Sequence, residues 1–176
     1  GMNDGSASAM ISTGAGSSGG NISTLTYCAS VPGTDAYYST TDLVRLVGDG
    51  DSIVNNTAGT CDSYEDYTSQ YTSLTPGGTY SVDVNLGSCT PGQYGTDSAK
   101  VFIDWNIDGD FNDPGEEIGT IPVGPPSTTT TIPFTVPFSV FGATKMRIVS
   151  QFLNNAPVSS IGPCDVGVMA NPVYIQ

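Results

Sequence analysis

From Leu25 onward, turn signals recur about every eight to twelve residues, a spacing that suits short strands and leaves almost no stretch able to hold a helix. The 22 glycines and 12 prolines of the chain supply most of these breaks. Between them lie short apolar or alternating runs at residues 43–47, 80–86, 101–105, 118–121, 129–136, 145–152 and 172–175. The run Tyr80-Ser81-Val82-Asp83-Val84-Asn85-Leu86 alternates cleanly, as a strand does when one face meets a core and the other meets water. The expected class is all-β: an antiparallel β-sandwich of jelly-roll or immunoglobulin-like type. At 176 residues it is one domain plus an extended N-terminal arm.

Residues 1–24 form that arm and residues 25–176 the sandwich. Gly, Ser, Ala and Thr dominate the arm, and Met2, Met10 and Ile11 are its only large apolar side chains before Ile22. Such a segment buries too little surface to order by itself. Its β-compatible small residues around Ala7 to Thr13 suit a strand added to a groove or sheet edge, either of its own domain or of a neighbour.

Only 4 Lys and Arg stand against 17 Asp and Glu, a formal net charge of -13, and histidine is absent. The charge repels phosphate backbones and anionic lipid heads, so no nucleic-acid partner is expected. The missing histidine removes the commonest general base. There is also no P-loop and no G-x-S-x-G elbow, so the chain is read as a non-enzyme. No apolar run approaches a bilayer-spanning length, and membrane insertion is not expected. Cys28, Cys61, Cys89 and Cys164 are widely spaced with no C-x-x-C pair, which points to two disulfides and an oxidising compartment. Of the three connectivities, the one preferred here is Cys28 with Cys164 and Cys61 with Cys89. The chain starts at Gly1 without the basic and apolar blocks of a signal peptide, leaving open a leader or further segments removed ahead of it.

Chemistry concentrates in Asp104-Trp105-Asn106-Ile107-Asp108-Gly109-Asp110-Phe111, closed by Glu116 and Glu117. Oxygen ligands at the first, third and fifth positions, glycine at the sixth and an acid near the twelfth are what a calcium loop needs. The expected metal ligands are Asp104, Asn106, Asp108, Asp110, Glu116 and Glu117. Calcium is favoured over magnesium because many oxygens on a flexible loop suit its larger shell, and zinc is disfavoured without histidine. Two departures separate this loop from a helix-loop-helix site. The entering residues Lys100-Val101-Phe102-Ile103 suit a strand. The twelfth position is Gly115, so the closing acid comes late, from a turn set by Asp113-Pro114-Gly115.

Asp62, Glu65 and Asp66 form a second acidic group, a candidate second ion site weighed against a plain solvated turn. Tyr37, Tyr38, Tyr64, Tyr67, Tyr71 and Trp105 are candidates for a sugar-stacking platform, weighed against core and cross-strand packing.

These stretches resemble a known family. Ser63-Tyr64-Glu65-Asp66-Tyr67-Thr68-Ser69, the Leu74-Thr75-Pro76-Gly77 turn and the Ile103-Asp104-Trp105-Asn106 loop reaching Glu117 are its strongest matches. Pro133-Phe134-Thr135-Val136-Pro137 and Gly142-Ala143-Thr144-Lys145-Met146-Arg147-Ile148-Val149 match the two strands that follow. From Tyr27-Cys28 to the C-terminus the chain resembles the GEVED domain, a secreted bacterial β-sandwich module attached to extracellular proteases, adhesins and other surface proteins. One departure is plain: Gly167-Val168-Met169-Ala170-Asn171-Pro172 stands where the family carries Gly-Glu-Val-Glu-Asp-Tyr, and both acids are missing. The apolar replacements suit packing against another strand, such as a neighbour's arm. The resulting expectation is a secreted, calcium-stabilised structural subunit of a bacterial surface or biofilm-matrix filament. It would polymerise head to tail with other copies of itself by strand addition from its arm. The alternative is an accessory adhesion or glycan-binding module of a larger secreted protein.

Overall fold

A computed structural model describes residues 10–13, 25–29, 40–58, 65–87, 97–124, 128–153 and 156–164. Ten strands account for most of them: β1 (Met10–Thr13), β2 (Thr40–Val47), β3 (Ser52–Asn56), β4 (Tyr71–Ser73), β5 (Thr79–Gly87), β6 (Asp97–Ile103), β7 (Glu117–Gly124), β8 (Thr129–Thr135), β9 (Gly142–Thr144) and β10 (Met146–Phe152). One 3-10 turn spans Val158–Ser160, and the described residues hold no α-helix. The all-β expectation is borne out.

Two antiparallel sheets, ordered β3-β2-β5-β8 and β10-β6-β7, pack face to face. Alternation along β5 turns Val82, Val84 and Leu86 inward, and Val44, Leu46, Ile132 and Phe134 join them from the flanking strands. The second sheet answers with Ala99, Val101, Ile103, Met146 and Ile148, completing one continuous core. Each buried aliphatic side chain contributes roughly 1.5–3 kcal/mol of burial free energy, so this shared core is the main source of stability.

β6 departs from simple alternation, because six of its seven residues are buried. Its outer face is covered by a second cluster, in which Phe102, Phe111, Val149, Leu153 and Ile161 pack with Tyr27 and Val158. The Cys28–Cys164 disulfide, with a Cα separation of 5.6 Å, clamps the two segments that make this cover. That bridge is the pairing read from the sequence. Cys61 and Cys89 lie outside the described residues, as do Asp62, Tyr37, Tyr38, Tyr64 and the strand expected at 172–175.

A third, small sheet has the order β4-β1-β9. Here β1, from the N-terminal arm, runs parallel to β4 with Ile11 opposite Thr72, and antiparallel to β9 with Ile11 opposite Thr144. The arm expected around residues 7–13 to act as an added strand does so within its own chain. Its parallel ladder is the one exception to the antiparallel pattern among the described strands. Two short elements escaped the sequence reading: β3, whose Ser52-Ile53-Val54-Asn55-Asn56 does not alternate, and β4, too brief to show a period; β9 lay within the 142–149 stretch matched as one strand.

Candidate metal centre

β6 and β7 are the two sides of a hairpin whose connection is the acidic loop. The Ile103 N–H donates to the Glu116 carbonyl at 2.8 Å, so the loop leaves and rejoins the ladder at one point. Trp105, expected at the end of the strand, already lies in the loop and packs into the main core 6.0 Å from the Phe134 ring.

Two acids build the loop from inside. Asp104 is 0% exposed. Its Oδ1 accepts from the N–H groups of Ile107 at 2.7 Å and Asp108 at 3.3 Å, and its Oδ2 from the Gly109 N–H at 3.1 Å and the Tyr27 hydroxyl at 2.7 Å. A carboxylate offers about four lone-pair sites, and all are taken. Glu116, 1% exposed, ties the two ends of the loop together. Its Oε1 accepts from Trp105 N–H at 2.9 Å and, at 3.5 Å, from Asn106 N–H, while Oε2 accepts from Asp113 N–H at 3.2 Å. Burial pushes the Glu116 carboxyl up to about 7, with the nearby Asp104 charge adding to the rise and the N–H donors opposing it.

The backbone of the loop is bent accordingly. Ile107 has φ 59°, a left-handed conformation rare for a β-branched residue that costs about 1–3 kcal/mol. That bend turns the N–H groups of the next two residues, Asp108 and Gly109, back toward Asp104. Gly109, at φ 99°, supplies the sharp turn expected at the sixth position.

Three acids face outward. Ligand oxygens of Asp108, Asp110 and Asp113 lie within 4.8 Å of one another, and this group can hold a metal ion. Asn106 Nδ2 donates to Asp108 Oδ2 at 2.9 Å and to Asp113 Oδ2 at 2.8 Å, drawing the two acids together. Asp110 accepts from the Asn112 N–H at 2.8 Å, which fixes its own turn. Asp113 was expected only to shape the closing turn; the signal for its second role is the Asp108-x-Asp110-x-x-Asp113 spacing. Glu117 stands apart. It lies on β7, where it pairs with Lys100 at 2.8 Å and accepts from the Thr120 hydroxyl at 3.3 Å. The six expected ligands thus divide into two inner organisers, Asp104 and Glu116, an outer set of Asn106, Asp108 and Asp110, and Glu117 on the strand.

Phe111 explains the aromatic residue that ends the motif. Its ring sits 5.1 Å from Tyr27 and 6.3 Å from Phe102, and the Arg147 guanidinium lies 5.0 Å from its centroid. Arg147 in turn donates to the Pro163 carbonyl at 2.8 Å, beside the disulfide. The loop is therefore pinned to the outer face of the second sheet through a chain of contacts: disulfide, Tyr27, Asp104 and Phe111. Burial, followed by the hydrogen bond to Asp104, holds the Tyr27 phenol protonated and well above its ordinary range.

The second acidic group offers less. Asp66 accepts from the Thr68 N–H at 2.9 Å, a local turn that holds its carboxyl below the usual value. Neither Asp66 nor Glu65 belongs to an acidic group with metal-binding spacing among the described residues. Of the candidate stacking aromatics, Tyr67 packs against the core and Trp105 is buried, whereas Tyr71 is exposed.

Residues 98–167 match the family model of the GEVED domain, so the resemblance read from the sequence is borne out over that span. The match takes in the acidic loop and β10, and ends at Gly167, where the chain departs from the motif that names the family. No curated protein and no solved structure matches the chain.

Proposed function

With residues 98–167 a match to the GEVED domain as premise, we propose that this protein is a secreted, calcium-braced structural subunit of a bacterial surface or matrix assembly. Copies join head to tail when the arm of one completes the β4-β9 slot of the next. The observation that carries this reading is the placement of β1. A strand from a Gly and Ser-rich arm is hydrogen-bonded on both sides, to β4 and β9, which are remote from it and from each other in sequence. Such a slot accepts the same strand from its own chain or from a neighbour at nearly equal energy, and a neighbour's strand makes a heterologous contact that extends without closing.

Calcium is the ion the loop would take, because a hard cation satisfies Asp108, Asp110 and Asp113 and offsets the charge of the two buried acids behind them. Asn106 is the neutral member of that ligand set. The ion stabilises only the folded loop, by mass action in calcium-rich surroundings. An oxidising exterior fits the Cys28–Cys164 bridge, and no helix among the described residues is long and apolar enough to cross a membrane.

Deleting residues 1–23 tests the assembly. Full-length protein in calcium should form concentration-dependent oligomers in analytical ultracentrifugation, and the truncated protein should stay monomeric until a synthetic arm peptide is bound. A truncated protein that builds the same oligomers would sink the proposal.

A second reading, a glycan-binding accessory module, is favoured by one observation. A pocket of 440 Å³ opens beside the loop, walled by Trp105, Asn106, Pro137, Ser139 and Phe141. Saturable glycan binding that Phe141→Ala abolishes would favour it over the filament.

A further inference from the structure

At the end of β6 remote from the metal loop, Asp97 opens the strand with 1% of its surface exposed, and among the described residues neither of its carboxylate oxygens has a hydrogen-bond partner. An isolated buried carboxylate is costly, and native proteins keep one only where something pairs with it. Burial alone pushes this carboxyl up to about 7.

Asp97 lines a pocket of 220 Å³ between the ends of the two main sheets. Ile121 and Val123 of β7 form one wall, and Leu86 of β5 with Thr128 and Thr130 the other. Val123 is 48% exposed and marks the open side. The volume lies below the roughly 300–1,000 Å³ of pockets for drug-sized ligands, so the guest is the size of a side chain. A hard divalent ion wants six to eight oxygens, and one carboxylate with two threonine hydroxyls among aliphatic walls does not supply them. A cationic head on a methylene stem meets both halves of the lining. The charge pairs with the carboxylate and the stem lies along Leu86, Ile121 and Val123.

The geometry points to a binding site for a basic group on an aliphatic stem, an alkylammonium or alkylguanidinium, seated on Asp97. Three of the four basic residues of this chain are engaged elsewhere: Lys100 with Glu117, Lys145 over the Tyr27 ring, and Arg147 with Phe111 and Pro163. Arg45 is exposed on β2, in the other sheet. The guest therefore comes from outside the domain, drawn by a net charge of -13. This site rests on neither the metal loop nor the filament reading.

An NMR titration of the full chain at pH 8 tests it, with n-butylammonium as probe and n-butanol as its neutral counterpart of similar shape. The amide signals of Gly124, Thr128 and Thr130 should shift saturably with the ammonium, and at least tenfold more weakly with the alcohol. Asp97→Asn should weaken ammonium binding at least tenfold. Val123→Trp, which keeps the acid but obstructs the rim, should weaken both probes. A capped lysine amide that binds more tightly than n-butylammonium assigns the guest to a protein side chain, and the reverse order assigns it to a small amine. Equal binding of ammonium and alcohol, unchanged binding in Asp97→Asn, or no saturable shift would each overturn the assignment.

Discussion

Asp104 follows the last residue of β6 and is fully buried with four hydrogen-bond donors around its carboxylate, whereas Asp97 begins the same strand, is equally buried and has none among the described residues. About 20 Å of strand separates them. The difference lies in the backbone. Within β6 the N–H groups are committed to the ladders with β7 and β10, so an acid facing inward cannot recruit them. Past Ile103 the chain is free to curl, and three successive N–H groups converge on the Asp104 oxygens. A loop can solvate a buried charge with its own amides, but a strand must look to a side chain or a ligand.

The largest effect is expected at the clamp behind the loop. Replacing Cys28 and Cys164 together by Ser removes a crosslink between residues 136 apart in sequence and should cost about 4 kcal/mol in urea denaturation. It should also weaken ion binding, because Tyr27, next to Cys28, is one of the Asp104 donors. Probe binding at the Asp97 end should be unaffected.

Asp104→Ala should cost about 3–4 kcal/mol, since it strands buried donors from Ile107, Asp108 and Gly109 together. Asp97→Asn should do the reverse at the other end. A folded-state carboxyl raised from 3.8 to about 7 favours the protonated form, so the contribution of Asp97 to stability is full below about pH 4 and is lost as pH rises through about 7. The Asn variant lacks that titration. It should be more stable than wild type by about 2–4 kcal/mol at pH 8 and nearly equal to it at pH 4. An Asn variant that is less stable at pH 8 would show that Asp97 has found a cation within the protein.

Within the loop, ion affinity separates the outer acids from the strand acid. Asp113→Asn should lower calcium affinity by about tenfold in calorimetry. Glu117→Gln should leave it unchanged and cost under about 1 kcal/mol, because its pair with Lys100 is 45% exposed on the glutamate side. A fall in affinity for Glu117→Gln equal to that for Asp113→Asn would show that the loop rearranges on binding.

Much of the fold was legible because alternation in 80–86 and β-branched runs such as 129–136 are local signals. The loop was legible because its spacing is specific. The inner and outer roles of its acids were not. Asp104 and Asp108 look alike in a motif, and only the curl of the backbone sends one to the amides and the other to the surface. Asp113 was hidden by the proline and glycine after it, which read as a turn and are one. Asp97 carried no signal at all, since its burial depends on β8 and β7 closing over the start of β6. The three-residue strand β4 was invisible for the same kind of reason, and β9 could not be told apart from the strand after it: each is distinct because β1 lies between them.

The order of residues alone therefore sets the β class, the arm, the acidic excursion and the cysteines able to clamp it, because turn chemistry, alternation and ligand spacing act over a few neighbours. Tertiary structure decides which acid organises, which can meet an ion and which is left alone in a pocket. Those outcomes depend on what the chain brings back beside each carboxylate: Tyr27 beside Asp104, and the ends of β5, β7 and β8 around Asp97.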